Sequence, residues 1–150
     1  MLVIDDSLTF RGQLAQALER AGYSVLSASS GEEGLRVAAR QRPSAAVVDG
    51  VLPGIDGATV IRRMRLDAAL RSVPCLLLTA SEDREAELTA LDAGADAFVR
   101  KAEDVEDLVV ARLAAALRVR PTVQPRPLDE ADRALQDLAA DRITGAAVLV

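Results

Sequence analysis

Five residues of this chain have types suited to joint chemistry: Asp5, Asp6, Asp49, Thr79 and Lys101. Each closes or follows a short apolar run. Asp5 and Asp6 follow Met1-Leu2-Val3-Ile4, and Asp49 follows Ala45-Ala46-Val47-Val48 and precedes Gly50-Val51-Leu52-Pro53-Gly54. Thr79 follows Cys75-Leu76-Leu77-Leu78, and Lys101 follows Ala97-Phe98-Val99-Arg100. A carboxylate at the C-terminal end of a buried strand projects into the crevice where open α/β sheets bind ligands. In a parallel sheet those ends share one edge. Three carboxylates gathered there repel one another, and a divalent cation relieves the repulsion. Mg²⁺ takes oxygen ligands, keeps several waters, and is held by carboxylates together with phosphate oxygens. A carboxylate can also attack phosphorus to give an aspartyl phosphate. The transferred group then needs positioning and positive charge. On this reading Asp5, Asp6 and Asp49 hold the metal, Lys101 supplies a fixed cation and Thr79 a hydroxyl donor, which makes a phosphoryl-transfer site.

The elements that must position these residues alternate between strand and helix patterns, which points to βαβ units. A first strand covers 1–4. A first helix follows, with Phe10, Leu14, Ala17, Leu18 and Ala21 on one face at spacings of three and four. Gly22 stops it. Strands are predicted over 23–28, 45–48, 73–78 and 97–100. Ser30-Gly31-Glu32-Glu33 has the capping-box pattern and opens a second helix that runs to about residue 40. Asp56 caps a third, with Val60, Ile61 and Met64 inward. A fourth helix is predicted from about 82 to 93, ending at Gly94. A fifth runs over 105–117, with Leu108, Val109, Ala116 and Leu117 spaced for burial. The third and fourth strands are apolar almost throughout, the pattern of parallel strands covered on both faces. The fold class is therefore α/β, a doubly wound five-stranded parallel sheet with helices on both faces.

The repeat ends near residue 120. Pro121-Thr122-Val123-Gln124-Pro125-Arg126-Pro127 reads as a linker over 121–128, since it fits neither regular helix nor central strand. Residues 129–142 carry a helix pattern with Ala134, Leu135 and Leu138 on its apolar side. The strand-like run over 143–150 reads as the start of a further domain or as a strand that pairs with something, and the likeness of 146–150 to residues 1–4 suggests a second copy of the first. The organisation expected is 1–120, linker, and a C-terminal helix with a strand-like tail at 129–150.

Composition narrows the function. At 150 residues with 50% hydrophobic side chains, the chain can build a sizeable core, mostly from Ala, Leu and Val because aromatics make up only 2%. The net charge of −5 argues against nonspecific nucleic-acid binding, and the tail over 129–150 is a poor DNA-binding element. The absence of histidine excludes a Ser-His-Asp triad, a Cys-His pair and a phosphohistidine within the chain, so a phosphoryl group must arrive from another molecule. Cys75 lies in an apolar run and reads as a buried, reduced thiol of a cytoplasmic protein. No apolar stretch approaches the ~20 residues that cross a bilayer.

With these motifs in order, the chain resembles the receiver domain of bacterial two-component response regulators. The segments that carry the resemblance are Val3-Ile4-Asp5-Asp6-Ser7, then Val47-Val48-Asp49-Gly50-Val51-Leu52-Pro53-Gly54-Ile55-Asp56-Gly57, then Leu77-Leu78-Thr79-Ala80-Ser81, then Gly94-Ala95-Asp96-Ala97-Phe98-Val99-Arg100-Lys101. It covers about residues 1 to 119 and implies strand order 2-1-3-4-5. It further implies that Asp49 accepts a phosphoryl group from a histidine kinase or phosphotransfer protein. Asp6, Asp49 and the Val51 backbone carbonyl would ligate Mg²⁺, with Asp5 acting through water. Lys101 would pair with the phosphoryl oxygens. Thr79 and Phe98 would form the switch, and the output surface would be the fourth helix, fifth strand and fifth helix. The resemblance makes this a signalling domain that catalyses only its own phosphorylation and dephosphorylation.

The chain departs from the family pattern in places. Ala102 follows the lysine where the family usually has proline, so a trans bond is expected. Phe98 replaces the commoner Tyr, and Leu52 the usual Met. Val51 and Ser81, two residues after Asp49 and Thr79, are uncharged, and slow autodephosphorylation is expected. Arg112, Arg118 and Arg120, with Asp96 and the acids of 103–107, read either as a charged homodimer surface or as ordinary solvated faces. Three alternatives fit the residues less well. A haloacid-dehalogenase-type phosphohydrolase would want Asp-x-Asp, whereas Asp5 and Asp6 are adjacent. A receiver-like interaction module acting without phosphorylation would not need the intact acids. A nucleotide-binding domain would need a glycine-rich phosphate loop, which no strand precedes. Read singly, Asp5-Asp6 caps the first helix, Asp56-Gly57 is a turn and cap, Phe98 is core and Lys101 a solvated charge. Their joint placement favours a site.

Overall fold

The computed structural model describes residues 1–80, 88–102 and 105–117, and the backbone of 84–87, 123–126 and 146–149. Met1–Leu117 form one compact unit and Arg118–Val150 a second. The first unit runs β1 (Leu2–Ile4), α1 (Leu8–Arg20), β2 (Leu26–Ala28), α2 (Gly31–Gln41), β3 (Ala46–Asp49), α3 (Gly57–Leu66), β4 (Cys75–Thr79), α4 (Arg84–Asp92), β5 (Ala97–Arg100) and α5 (Val105–Ala116). The five strands form a parallel sheet in the order β2-β1-β3-β4-β5, the doubly wound arrangement that the apolar strands and the resemblance led us to expect.

The period of two along a strand divides the core into halves. Leu2, Ile4, Ala46, Val48, Cys75 and Leu77 enter one cluster, which Val60, Ile61 and Met64 of α3 complete. Val3, Val47, Leu76, Leu78 and Val99 enter the other, with Leu14 and Leu18 of α1 and Val105, Val109 and Leu113 of α5. Hence strands that read as continuous apolar runs feed two layers at once.

Helix ends follow local hydrogen bonding. Asp56 caps α3, its Oδ1 accepting from the Thr59 N–H at 2.7 Å. Ser30 caps α2, but the return bond of the capping box shifts by one residue: Glu33 Oε2 accepts from the Ser29 N–H and hydroxyl at 2.7 and 2.8 Å. At α1 the cap is Ser7, whose side chain accepts from the Phe10 N–H, which leaves neither Asp5 nor Asp6 in the capping role that the dipeptide suggests alone. Gly22 and Gly94, just past α1 and α4, have φ of 91° and 86°, the left-handed conformation that glycine adopts at little cost.

Three expectations are corrected. The second strand begins at Leu26 instead of residue 23. On α5 the buried seam is Val105, Val109 and Leu113, spaced by four, while Leu108 is 47% exposed and Ala116 and Leu117 lie only half-buried at its end. The segment read as linker carries β6 (Val123–Arg126), paired in parallel with β7 (Ala146–Leu149). Pro125 is tolerated there because it stands in a two-stranded sheet, on an edge strand where ladder bonds are not demanded on both sides. The helix pattern over 129–142, and Ser81, Glu82, Glu103, Asp104, Arg118 and Arg120, lie outside the described residues.

Candidate functional site

Parallel registration sets the strand ends level. Ile4 pairs with Val48, Asp49 with Leu78, and Thr79 with Arg100. Beyond the strands the ladder continues for one step. The Asp5 N–H donates to the Ala28 carbonyl at 3.1 Å, Gly50 N–H to Leu78 at 2.7 Å and Lys101 N–H to Thr79 at 2.8 Å. Gly57 lets α3 start close to this edge, because a Cβ there would lie 2.1 Å from the Asp49 carbonyl oxygen.

At this edge Lys101 reaches across the sheet. Its Nζ donates to Asp5 Oδ2 at 2.8 Å and to Asp49 Oδ2 at 2.7 Å. The other oxygens of these acids are held by backbone: Asp5 Oδ1 accepts from Ser7 N–H at 2.9 Å and Asp49 Oδ1 from Val51 N–H at 3.3 Å. Asp5 is fully buried and Asp49 nearly so, at 0% and 4% exposure, whereas Asp6 is exposed. The Arg11 guanidinium donates to the Asp5 backbone carbonyl.

The electrostatics follow from this crowding. Burial raises the Asp49 carboxyl above its ordinary pKa. The hydrogen bond and charge of Lys101 oppose the rise, and the Asp5 charge adds to it. Burial alone would lower the Lys101 ammonium, but hydrogen bonds to Asp49 and Asp5, with their charges, outweigh it and hold the group above its usual value. One ammonium thus bonds two of the three clustered carboxylates, and the excess negative charge invites a further cation. Carboxylate oxygens of Asp5, Asp6 and Asp49 all lie within 4.8 Å of one another. A small set made only of carboxylate oxygen fits Mg²⁺, which coordinates hard oxygen donors, and not a soft metal.

Residues 1–112 match the family described as the response regulator receiver domain. The chain belongs to that family. It is 37% identical over 144 residues to the response regulator MprA of Mycolicibacterium vanbaalenii, covering 96% of this chain and 61% of the relative. It is 42% identical over 119 residues to the transcriptional regulatory protein AfsQ1 of Streptomyces coelicolor, covering 79% of this chain and 51% of that protein. Among solved structures, a putative response regulator from Chloroflexus aurantiacus superposes with a TM-score of 0.74 at 37% identity, over 78% of this chain and 95% of that one. The chain therefore spans between half and two-thirds of the length of these two sequence relatives. Receiver domains are signalling domains and generally bind Mg²⁺, and the cluster of Asp5, Asp6 and Asp49 is one that could hold a metal ion.

The receiver fold brings together Asp5, Asp6, Asp49 and Lys101. Thr79 is buried at the end of β4 and lines an adjoining cleft with Val51, Gly50, Ala80 and Asp56. Phe98 stands apart. It is half-buried against the α3-side core and borders a separate groove with Leu91, Leu108 and Arg112. Asp96, expected on a charged outer face, is engaged elsewhere: its Oδ2 accepts from Arg65 Nη2 at 2.8 Å and from the Cys75 N–H at 2.7 Å. The Cys75 thiol is buried and pushed up to about 11 by desolvation, which leaves it inert near neutrality. The Lys101–Ala102 peptide is trans. Sequence reasoning missed Phe10 as a neighbour of the site; its ring centroid lies 4.5 Å from Lys101 Nζ. One signal was available for the lysine itself: it is the only lysine of the chain, and every other basic side chain is an arginine.

Proposed function

We propose that Asp49 is the phosphoacceptor of a two-component phosphorelay and that the domain acts as its Mg²⁺-dependent receiver switch. The observation that carries this reading is the ammonium of Lys101 bridging two buried carboxylates from β1 and β3 at the strand ends of the sheet. A carboxylate oxygen of Asp49 attacks the phosphorus of a phosphohistidine on a histidine kinase or phosphotransfer protein. The O–P bond forms, the N–P bond breaks, and the departing imidazole takes up a proton. Asp6, Asp49 and the Val51 backbone carbonyl would hold Mg²⁺, with Asp5 acting through water. The metal would supply the positive charge that offsets negative charge on the transferring oxygens. Lys101 exchanges its bond to Asp49 for one to the phosphoryl group, and it needs no new cation because the ammonium is already in the crevice.

Thr79 then donates its hydroxyl to the phosphoryl group, and Phe98 moves further into the space beside it. The signal is read on the face formed by α4, β5 and α5. That face offers Leu91 and Leu108, 52% and 47% exposed, beside Arg112, which suits pairing with a second copy of the chain. A soluble cytoplasmic setting fits a partner kinase that phosphorylates in trans, and no role in direct nucleic-acid binding is assigned to these 150 residues. Val51, 73% exposed and aliphatic, offers nothing to orient an attacking water, which supports a long-lived phosphorylated state. A half-life of seconds for the purified phosphoprotein would contradict that last point.

The decisive test is intact mass after incubation with acetyl phosphate and Mg²⁺. In that reaction the acetate leaves as the Asp49–phosphorus bond forms. The expected outcome is one phosphoryl adduct on the wild type, and none on Asp49→Ala or without Mg²⁺. An adduct that survives Asp49→Ala would move the phosphoacceptor elsewhere.

A further inference from the structure

We infer that Phe10 is a positioning residue for phosphoryl transfer: its ring face holds the Lys101 ammonium in the crevice, ready for the incoming phosphoryl group. This rests on the phosphoacceptor reading and adds a residue to it. Lys101 Nζ lies over the Phe10 ring, 4.5 Å from its centroid, and the same nitrogen bonds Asp5 and Asp49. An aromatic face attracts a cation through its quadrupole, and the attraction grows where water is excluded. Lys101 needs such a hold. Its stem is long and flexible, and phosphoryl transfer draws one of its two carboxylate partners into the reaction.

Phe10 is itself fixed. Its backbone N–H donates to the Ser7 hydroxyl oxygen at 3.3 Å, and the Ser7 N–H donates to Asp5 Oδ1 at 2.9 Å. Asp5 Oδ2 in turn accepts from Lys101. Asp5, Ser7, Phe10 and Lys101 thus close a ring of contacts that joins the first turn of α1 to the end of β5. Phe10 is partly buried and packs against the core under α1 and α5, so side-chain motion that would release the lysine is opposed by packing. An aliphatic residue would fill the same corner without attracting the ammonium. In a chain with only one Tyr and two Phe, an aromatic beside the sole lysine is not explained by composition.

The test separates ring electronics from bulk. Phe10 is replaced site-specifically by phenylalanines of increasing fluorination, which keep the shape while weakening the quadrupole, and by Leu. Initial rates of adduct formation with acetyl phosphate and Mg²⁺ are expected to fall stepwise along the fluorinated series, by about threefold to tenfold in total, with Phe10→Leu at the slow end and Phe10→Tyr close to wild type. Because Lys101 is the only lysine, selective lysine labelling yields a single side-chain signal by NMR. Its terminal methylene protons should be displaced upfield by the ring in the wild type and return to the ordinary position in Phe10→Leu, with no donor present. Rates that stay flat across the fluorinated series in a wild type that does take the phosphoryl group would overturn the role of Phe10 alone. So would a lysine signal with no ring displacement. A wild type that takes no phosphoryl group would remove the phosphoacceptor reading, and this inference with it.

Discussion

The sheet has two edges, and each binds a cation to an aspartate in a different way. At the N-terminal edge, Arg65 donates to the carbonyls of Gly94, Arg71 and Val73 at 2.8, 3.1 and 2.9 Å and to Asp96 at 2.8 Å. Asp96 also accepts the Cys75 N–H, so this one guanidinium ties together α3, both connections beside it and the start of β4. One positive group meets one negative group and several neutral acceptors, and the account balances. At the C-terminal edge, one ammonium meets carboxylates that outnumber it, two of them buried. Burying surplus charge costs stability, and a fold retains it where the surplus has a use. The latch is balanced in charge, whereas the crevice keeps a surplus of negative charge, which suits the cation and phosphoryl group of the proposed function.

The largest difference comes from making one substitution at both edges. Asp49→Asn should abolish the phosphoryl adduct while leaving stability unchanged or raised, because it removes a carboxylate whose burial already disfavours its charge. Asp96→Asn should leave the adduct intact and lower stability by about 0.5–1 kcal/mol, since the pair with Arg65 is half open to water. Intact mass and urea unfolding of the two variants decide it. Equal stability losses at both edges would erase the distinction drawn between them.

Arg65→Ala sharpens the contrast further. It leaves the carbonyls of Val73 and Gly94 without their side-chain donor, and a loss of about 2–3 kcal/mol is expected from urea unfolding, with full phosphorylation still reached below the unfolding transition. A variant that is stable but fails to accept the phosphoryl group would tie the latch to the chemistry.

The two edges were unequally legible in the sequence. Residues at the crevice could be read because each sits at the end of an apolar strand, and a parallel sheet places such ends side by side without further information. Asp5, Asp6, Asp49 and Lys101 therefore came together as expected. The latch was not readable. Arg65 is one of three arginines near the end of α3, and its partners lie in connections whose path is fixed by tertiary packing. Asp96 was accordingly placed on an outer face. Phe10 was read as core, which it partly is; its second role needed the direction of the Lys101 side chain, and no periodicity encodes that. The α5 seam failed for a simpler reason. With Ala, Val and Leu nearly all round the helix, its apolar face has little contrast, and neighbouring registers look alike.

Titration should distinguish the edges by a smaller amount. Asp49 has a folded-state value above the ordinary 3.8, so the folded protein binds that proton more tightly than the unfolded chain does. Stability contributed by this group therefore falls as pH rises from about 3.8 through the raised folded value. The stability of the wild type relative to Asp49→Asn should be highest in acid and decline through that window, by urea unfolding at each pH. Asp56 and Glu33 run the opposite way, with lowered values whose contributions are lost as pH falls, but both variants share them and they cancel in the difference. A difference that is flat across the window would mean that Asp49 titrates alike in the folded and unfolded states.

The smallest effect expected is that of Leu108 on α5. Leu108 and Val109 are adjacent, yet Val109 is fully buried against the α1-side core and Leu108 is 47% exposed beside the Phe98 groove. Val109→Ala should cost about 2 kcal/mol through lost contacts and a cavity. Leu108→Ala should change the stability of the monomer by less than about 0.5 kcal/mol, because little apolar area is removed from burial. If the α4-β5-α5 face pairs with a second copy after phosphorylation, the order reverses in that assay. Leu108→Ala should then weaken association of the phosphorylated chain, measured by sedimentation, more than Val109→Ala does at a temperature where both are folded. A Leu108→Ala variant that associates as the wild type does would take Leu108 out of the interface and leave its exposure as ordinary helix surface.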